Sequence, residues 1–365
     1  MMRKNNKKIL KIMRKKNGAI EVQMNWIFIA IIGTIILLFF VGVAVKQRSA
    51  SHQRLVGDIV KDLDSYISGS LASTQAATII PIPDFEVEFD CNEYRIEGQR
   101  NLLESRVVFG TDRISSDDRQ LIVWSLPWNM PYLVTNFLYI TGPGVKYVFA
   151  YKQSQEPKYG EFYEDFMTDK INKEKVYIDA SNKIDFADEK NYKLKIIVLG
   201  GQQVTLPQFA YNERTTLIIV SPFDTNTQKY PVGNIDYYQY DKSTRTFQKD
   251  GDTVTFIGLP SLVGAIFSDN RENFACTMEK AVKNLNVVNK VVTEKVKLLS
   301  NRTTQQQLGC SIYYSTVELG HLDNMNNATQ VPGLWMNKVS EIVNTAGLLD
   351  TRNTIIEQQS CPLLY

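Results

Sequence analysis

A chain of 365 residues that is 44% hydrophobic and 22% charged carries enough apolar side chain for a packed core, which excludes disorder as its general state. Its net charge of +2 is unevenly spread: residues 1–24 hold eight lysines and arginines against Glu21 alone, or +7, leaving −5 for the remainder. A weakly acidic remainder has no basic footprint for nucleic acid, so no nucleic-acid partner is expected.

The basic tail (1–24) is followed by an uncharged apolar run from Trp26 to Val45, WIFIAIIGTIILLFFVGVAV. Twenty helical residues at about 1.5 Å each match the roughly 30 Å hydrocarbon core of a bilayer. The run predicts a transmembrane helix over 25–46, with the lipid bilayer as partner. The basic flank comes first, and only Lys46 and Arg48 follow closely. By the positive-inside rule the N-terminus is cytoplasmic and the C-terminal domain lies outside the cell membrane. The competing reading is a cleaved secretory signal, whose apolar region is shorter, about 7–15 residues, with Ser49-Ala50-Ser51 as the cleavable stretch. No second run of this length follows, so a single crossing is expected.

Over 47–80 the apolar residues Leu55, Val56, Ile59, Val60, Leu63, Tyr66, Ile67 and Leu71 recur at helical spacing. This predicts an amphipathic stalk helix that ends near Pro81 and Pro83, which cannot continue it. Its apolar face packs either on its own domain or on a partner helix. Residues 84–260 read as a strand-rich exterior domain: FEVEFD (85–90), EYRIE (93–97), RVVFG (106–110), QLIVWSL (120–126), LVTNFLYI (133–140) and KYVFAY (146–151). A helix is expected around Gly160–Asp169. KLKIIVL (193–199) and TLIIV (216–220) lack alternation and read as more deeply buried strands, compatible with a Rossmann-like parallel core over 146–221. A hairpin-like pair covers 235–240 and 253–257, with turn chemistry from Lys249-Asp250-Gly251-Asp252. From 261 to 365 the character is helical, with a long helix over NFACTMEKAVKNLNVVNKVVTEKVKLL and a second over Leu334–Leu349, packed on the same domain. Sheet first and helices last give an α+β or α/β fold class.

All four cysteines, Cys91, Cys276, Cys310 and Cys361, follow the anchor, which predicts two disulfides in an oxidising compartment. The pairing expected is Cys276–Cys310 and Cys91–Cys361. His52 and His321 are the only histidines and no two cysteines are close, so zinc spacing is absent and no cofactor or metal is expected. Asn301-Arg-Thr and Asn327-Ala-Thr match the glycosylation sequon and would mark exposed loops.

Most reaction classes fail on residues. There is no GxSxG elbow and no phosphate-binding GxxxxGK[ST] loop. His52 sits in the stalk, and His321, near Asp323 in LGHLDNMNNAT, reads as a surface loop histidine without the calcium-hand pattern. Gly200-Gly201 after KIIVL reads as an ordinary turn. Carboxylate groups such as Glu161/Glu164/Asp165 and Asp117/Asp118 read as solvated faces. In the aromatic block running from Trp124 to Tyr151, Trp128 in the Pro-Trp-Asn-Met-Pro turn is the candidate contact surface.

Basic residues, then Gly18-Ala19-Ile20-Glu21, then a long apolar helix resemble the leader of type IV pilin-like and TadE-like proteins. The resemblance implies cleavage after Gly18 and a packing role for Glu21. It departs from the pattern in two places: Glu21 is three residues after Gly18 rather than five, and Asn17 replaces a basic neighbour. The basic tail, the GAIE start, the IVWSLPWNMPYLVTNFLYIT block and the closing SCPLLY also resemble uncharacterised membrane-anchored archaeal proteins. That likeness implies topology and no reaction. The leading expectation is a non-enzymatic binding or structural protein of the cell envelope, partnered by other envelope proteins. A self-assembling pilin-like subunit is one alternative, and an anchored hydrolase of envelope glycan or protein is the other. The leader is decided by the mass of the mature protein: a chain starting at Ala19 supports processing, and an intact tail rejects it.

Overall fold

The computed structural model describes residues 6–72, 77–82, 85–114, 119–187, 190–224, 228–305, 309–314 and 316–365. Two compact units make up the chain, Met1–Lys61 and Asp62–Tyr365. Helix α1 (Asn6–Ala72) forms the first unit and lends its last residues, from Asp62 on, to the second. Every side chain from Trp26 to Arg48 is exposed, although nearly all are apolar. A helix that is apolar all round and buries nothing in protein matches a membrane interior rather than water. Among the described residues it is the one helix long and apolar enough to cross a membrane.

The second unit opens with α1 residues Leu63 and Ile67, both buried, and with an ion pair from Arg106 to Asp64. The helix stops at Ala72, and strand β1 (Ala77–Pro81) begins where the stalk was expected to continue. The β-branched Thr78, Ile79 and Ile80 favour a pleated edge, and here they have a partner strand to pair with. Short strands follow: β2 (Val87–Phe89), β3 (Glu93–Ile96), β4 (Gln99–Leu102), β5 (Val108–Gly110) and β6 (Arg113–Ile114). Next come β7 (Gln120–Asn129), β8 (Leu133–Thr141) and β9 (Val145–Tyr151), then helix α2 (Glu156–Glu161), which leads into a π turn over Phe162–Phe166. Strands β10 (Asn172–Tyr177), β11 (Lys193–Leu199), β12 (Thr215–Val220), β13 (Val232–Asp241), β14 (Thr246–Lys249) and β15 (Val254–Ile257) complete the sheets. The chain ends in helices α3 (Leu259–Phe267), α4 (Arg271–Gln305), α5 (Thr316–Thr329) and α6 (Val339–Gln358).

The architecture is α+β. The large sheet has the order β10-β9-β11-β12-β13-β14, with β15 also on β13. Its β10-β9-β11-β12 part is parallel, as the unalternating runs predicted, and β13 turns antiparallel. A second sheet has the order β1-β7-β8-β5 and a third, small one β4-β3-β2-β6. Burial on both faces explains the absence of alternation. Ile197, Leu199, Ile218 and Val220 join the core shared with the C-terminal helices, while Ile196, Val198, Leu217 and Ile219 pack under the segment holding Phe186 and Leu206. Strand β10 escaped the sequence reading because Asn-Lys-Glu-Lys-Val-Tyr is largely polar, as suits an edge.

The aromatic block is core. Trp128 is 1% exposed, stacks on Phe137 with ring centroids 5.2 Å apart, and donates its indole N–H to the Ile257 carbonyl at 3.0 Å. It is therefore no contact surface: β7 is covered on both faces, and the Trp N–H finds its partner inside. Helix α3 approaches the same cluster so closely that a Cβ on Gly264 would stand 2.8 Å from the Phe109 ring.

One face of α4 holds the small sheet in place. Asn273 bonds Asp112, Lys280 donates to the Cys91 carbonyl, and Asn284 donates to the Ser105 carbonyl at 3.2 Å. Cys276 lies on that face, and it pairs with Cys91. The second disulfide is Cys310–Cys361, where the chain end runs beside residues 310–314 and Tyr314 donates to the Pro362 carbonyl at 2.5 Å. Two disulfides were expected and two are present, but the connectivity differs from the expected Cys276–Cys310 and Cys91–Cys361. Cys276 is one turn from Lys280 and faces the β2–β3 turn, so it cannot also meet the segment beyond the end of α4. Peptide mapping without reduction should recover the 91–276 and 310–361 links. Cys276→Ser and Cys91→Ser should each cost about 2–5 kcal/mol of unfolding free energy, and the double variant little more. Additive losses in urea melts would refute the shared bond.

Candidate functional site

Ser268-Asp269-Asn270 joins α3 to α4. Asn270 caps α4, its side-chain oxygen accepting the Asn273 N–H at 2.8 Å. That cap fixes Asp269, 4% exposed, against the amino-terminal end of β11. There Asp269 accepts from the Lys193 ammonium, from the Lys195 ammonium at 2.8 Å and from the Asp112 backbone N–H at 2.7 Å. Lys195 is fully buried. Its two remaining N–H groups go to the Ile266 carbonyl at 3.2 Å and to the Phe267 carbonyl, the unsatisfied end of α3, where a cation also meets the helix dipole. Asp112 accepts from Asn270 at 2.8 Å and from Asn273 at 2.6 Å.

Register carries this polarity across the sheet. Lys195 stands opposite Thr216, and Thr216 opposite Gln239, so β11, β12 and β13 present one polar row on the face that otherwise carries core residues. Gln239 donates to the Asp269 carbonyl at 2.7 Å. Above the row lies a depression of about 460 Å³ whose lining includes Lys193, Thr216, Gln239 and the carboxylates Asp112, Glu213, Asp250, Asp269 and Glu272. A larger groove of about 880 Å³ runs between residues 228–232 and α6. In it Lys229 pairs with Asp350, which also accepts from the Tyr365 hydroxyl at 3.0 Å.

Burial pushes the Asp269 carboxyl up, but the Lys195 and Lys193 ammoniums outweigh it and hold the carboxyl below the ordinary range. Asp112 is shifted the other way, raised by burial and by the charge of Asp269. Burial lowers Lys195, with Asp269 opposing. A buried and a half-buried carboxylate of divergent acidity suggest acid–base chemistry. Their geometry points to structure, since every carboxylate oxygen of the pair already accepts an ion pair or hydrogen bond.

The residues singled out in the sequence are scattered. His321 and Asp323 lie on α5, a helix rather than the expected loop. Its Leu322, Met325 and Ala328 are buried against the neighbouring helices, so packing overrides the low helix propensity of its asparagines. Asn301 and Asn327 are exposed but lie on α4 and α5, not on loops. Gly200 and Gly201 form a turn after β11, both with positive φ. Glu161 and Glu164 are exposed, and Asp117 and Asp118 lie outside the described residues. Gly18, Glu21 and His52 fall in the backbone of α1. Among the described residues no group of three or more His, Cys, Asp or Glu could hold a metal ion. The Lys193, Lys195, Asp269 cluster was missed. Its signal was the charge inside KLKIIVL, where Lys195 interrupts an otherwise buried strand.

Comparison with models of protein families, with curated proteins and with solved structures finds no match for this chain.

Asp269→Asn should cost about 3–5 kcal/mol, because it leaves a buried ammonium without its counter-charge. Adding Lys195→Met should restore part of that loss. A double-mutant cycle by urea melts checks this, and simple additivity would refute the pairing. The sign with pH follows. Stability from Asp269 is complete above the unfolded carboxylate's 3.8 and falls away as pH drops below it, an acid limb that Asp269→Asn should flatten.

Proposed function

We propose that this chain is a single-pass membrane-anchored protein whose exterior domain binds or assembles with other components of the cell envelope. The observation that carries the reading is the helix from Trp26 to Val45, apolar on all sides and unburied, preceded by a segment of charge +7. Two disulfides in the domain after the anchor, and no free cysteine among the described residues, support an oxidising exterior for that domain. The saturated carboxylates of the buried cluster favour a binding role over hydrolysis. Assembly through the anchor itself is the form of this reading that the Gly18 to Glu21 leader supports.

Protease treatment of intact cells expressing the full chain should degrade the domain beyond residue 50 and spare an epitope at the N-terminus. Alkaline carbonate should not extract the chain from membranes. A protected domain with an accessible N-terminus would invert the topology, and release by carbonate would remove the anchor.

A further inference from the structure

We infer that the outer face of α4 docks an amphipathic helix of a partner protein, one whose apolar stripe is flanked by Asp and Glu. Three observations lead there.

The first is a covered face that becomes bare. Asn273, Cys276, Lys280 and Asn284 recur at helical spacing on one row of α4 and hold the small sheet. Three residues after Asn284 the row continues as Val287, Val291 and Leu298, which are 60%, 65% and 69% exposed. Beyond α1, these and Ile312 are the four most exposed large apolar residues among those described. A row that packs over its first turns and then stays apolar in water marks a surface for interaction.

The second is the spacing. Val287, Val291, Glu294, Leu298 and Asn301 follow one another by four, three, four and three residues, and all are exposed. That is the seam of a two-helix coiled coil, narrower than the apolar face of a helix packed on a domain. At about 1.5 Å per residue the seam is about 21 Å long, enough for one partner helix of about four turns. Glu294 and Asn301, polar within the seam, would set the register of that helix.

The third is charge. By the same spacing Lys290 and Lys297 flank one side of the seam, Lys295 the other, and Lys283 its near end. Lys297 is paired with Glu294 at 2.8 Å, whereas Lys283, Lys290 and Lys295 make no ion pair among the described residues. The chain after residue 24 sums to −5, so the positive charge here is local to the seam. Flanking residues of one helix face those of the other, and lysines select Asp and Glu.

The same three observations weigh against other occupants. A second copy of α4 would bring like lysines against these, which like-charge repulsion disfavours. An anionic bilayer would attract the lysines, but a helix lying in a membrane surface presents a broad apolar face, and Glu294 stands in the middle of this narrow one.

The inference deepens the reading of the domain as a binding module and rests on it, and its test is separate from topology: a failed titration leaves the anchor intact, and an inverted anchor leaves the titration intact. The full chain in phosphatidylcholine nanodiscs is titrated into a fluorescent four-heptad peptide, with leucine at the seam positions and glutamate flanking them, and binding is read by anisotropy. Saturable binding at one site per chain is expected. A matched peptide with lysine in place of the glutamates should bind roughly tenfold more weakly. Val291→Glu and Leu298→Glu, both at exposed positions, should each weaken binding of the glutamate peptide roughly tenfold with unchanged melting temperature. Lys290→Glu combined with Lys295→Glu should shift the preference toward the lysine peptide. No saturable binding of the glutamate peptide, equal binding of both peptides, or binding that Val291→Glu and Leu298→Glu both leave untouched overturns the inference. Displacement of the bound peptide by phosphatidylglycerol vesicles would assign the face to a membrane and overturn it as well.

Discussion

The domain after the apolar helix depends on one buried carboxylate. Asp269 is the shared acceptor for β11, through Lys193 and Lys195, and for the segment after β5, through the Asp112 N–H. It sits in the turn between α3 and α4. A charge removed from water is tolerated only when it is fully paired, so these elements must meet at this point. Lys195 adds the other half of the constraint, since its ammonium closes the carbonyl end of α3.

From that turn α4 runs as the member to which the smaller parts are fastened. Its first turns hold Asp112, Cys91 and the Ser105 carbonyl, which orients the small sheet. Farther along, Asn286 and Asn289 donate to α5, at 3.2 Å to the Asn326 carbonyl and at 2.7 Å to the Leu322 carbonyl. The disulfides reinforce contacts that hydrogen bonds and packing already specify. A link closing 185 residues, as Cys91–Cys276 does, restricts the unfolded chain more than the 51-residue link at the C-terminus.

The depression is a by-product of the same arrangement. Strand β11 brings its lysines to the amino-terminal edge of the sheet, and α4 starts above them, so side chains of both line one space. The register places Thr216 between two engaged neighbours, Lys195 and Gln239. Polarity at this edge therefore serves stability in its deeper part.

What the sequence determined by itself is local or additive. The long apolar helix through Trp26 to Val45 follows from length and apolarity, and the parallel strands follow from runs such as KLKIIVL, because burial on both faces removes alternation. The long helix α4 follows from its periodicity. Only the tertiary structure decided which cysteines meet, because pairing depends on the face of α4 that covers the β2–β3 turn. It also turned Trp128 inward to the Ile257 carbonyl, made a strand of Ala77–Pro81 by offering β7 as partner, and made a helix of the asparagine-rich segment at 316–329. The polar row was legible only as a lysine out of place in a buried strand. Its partners, Asp112 and Asp269, are 157 residues apart, and no local pattern reports a contact across that distance.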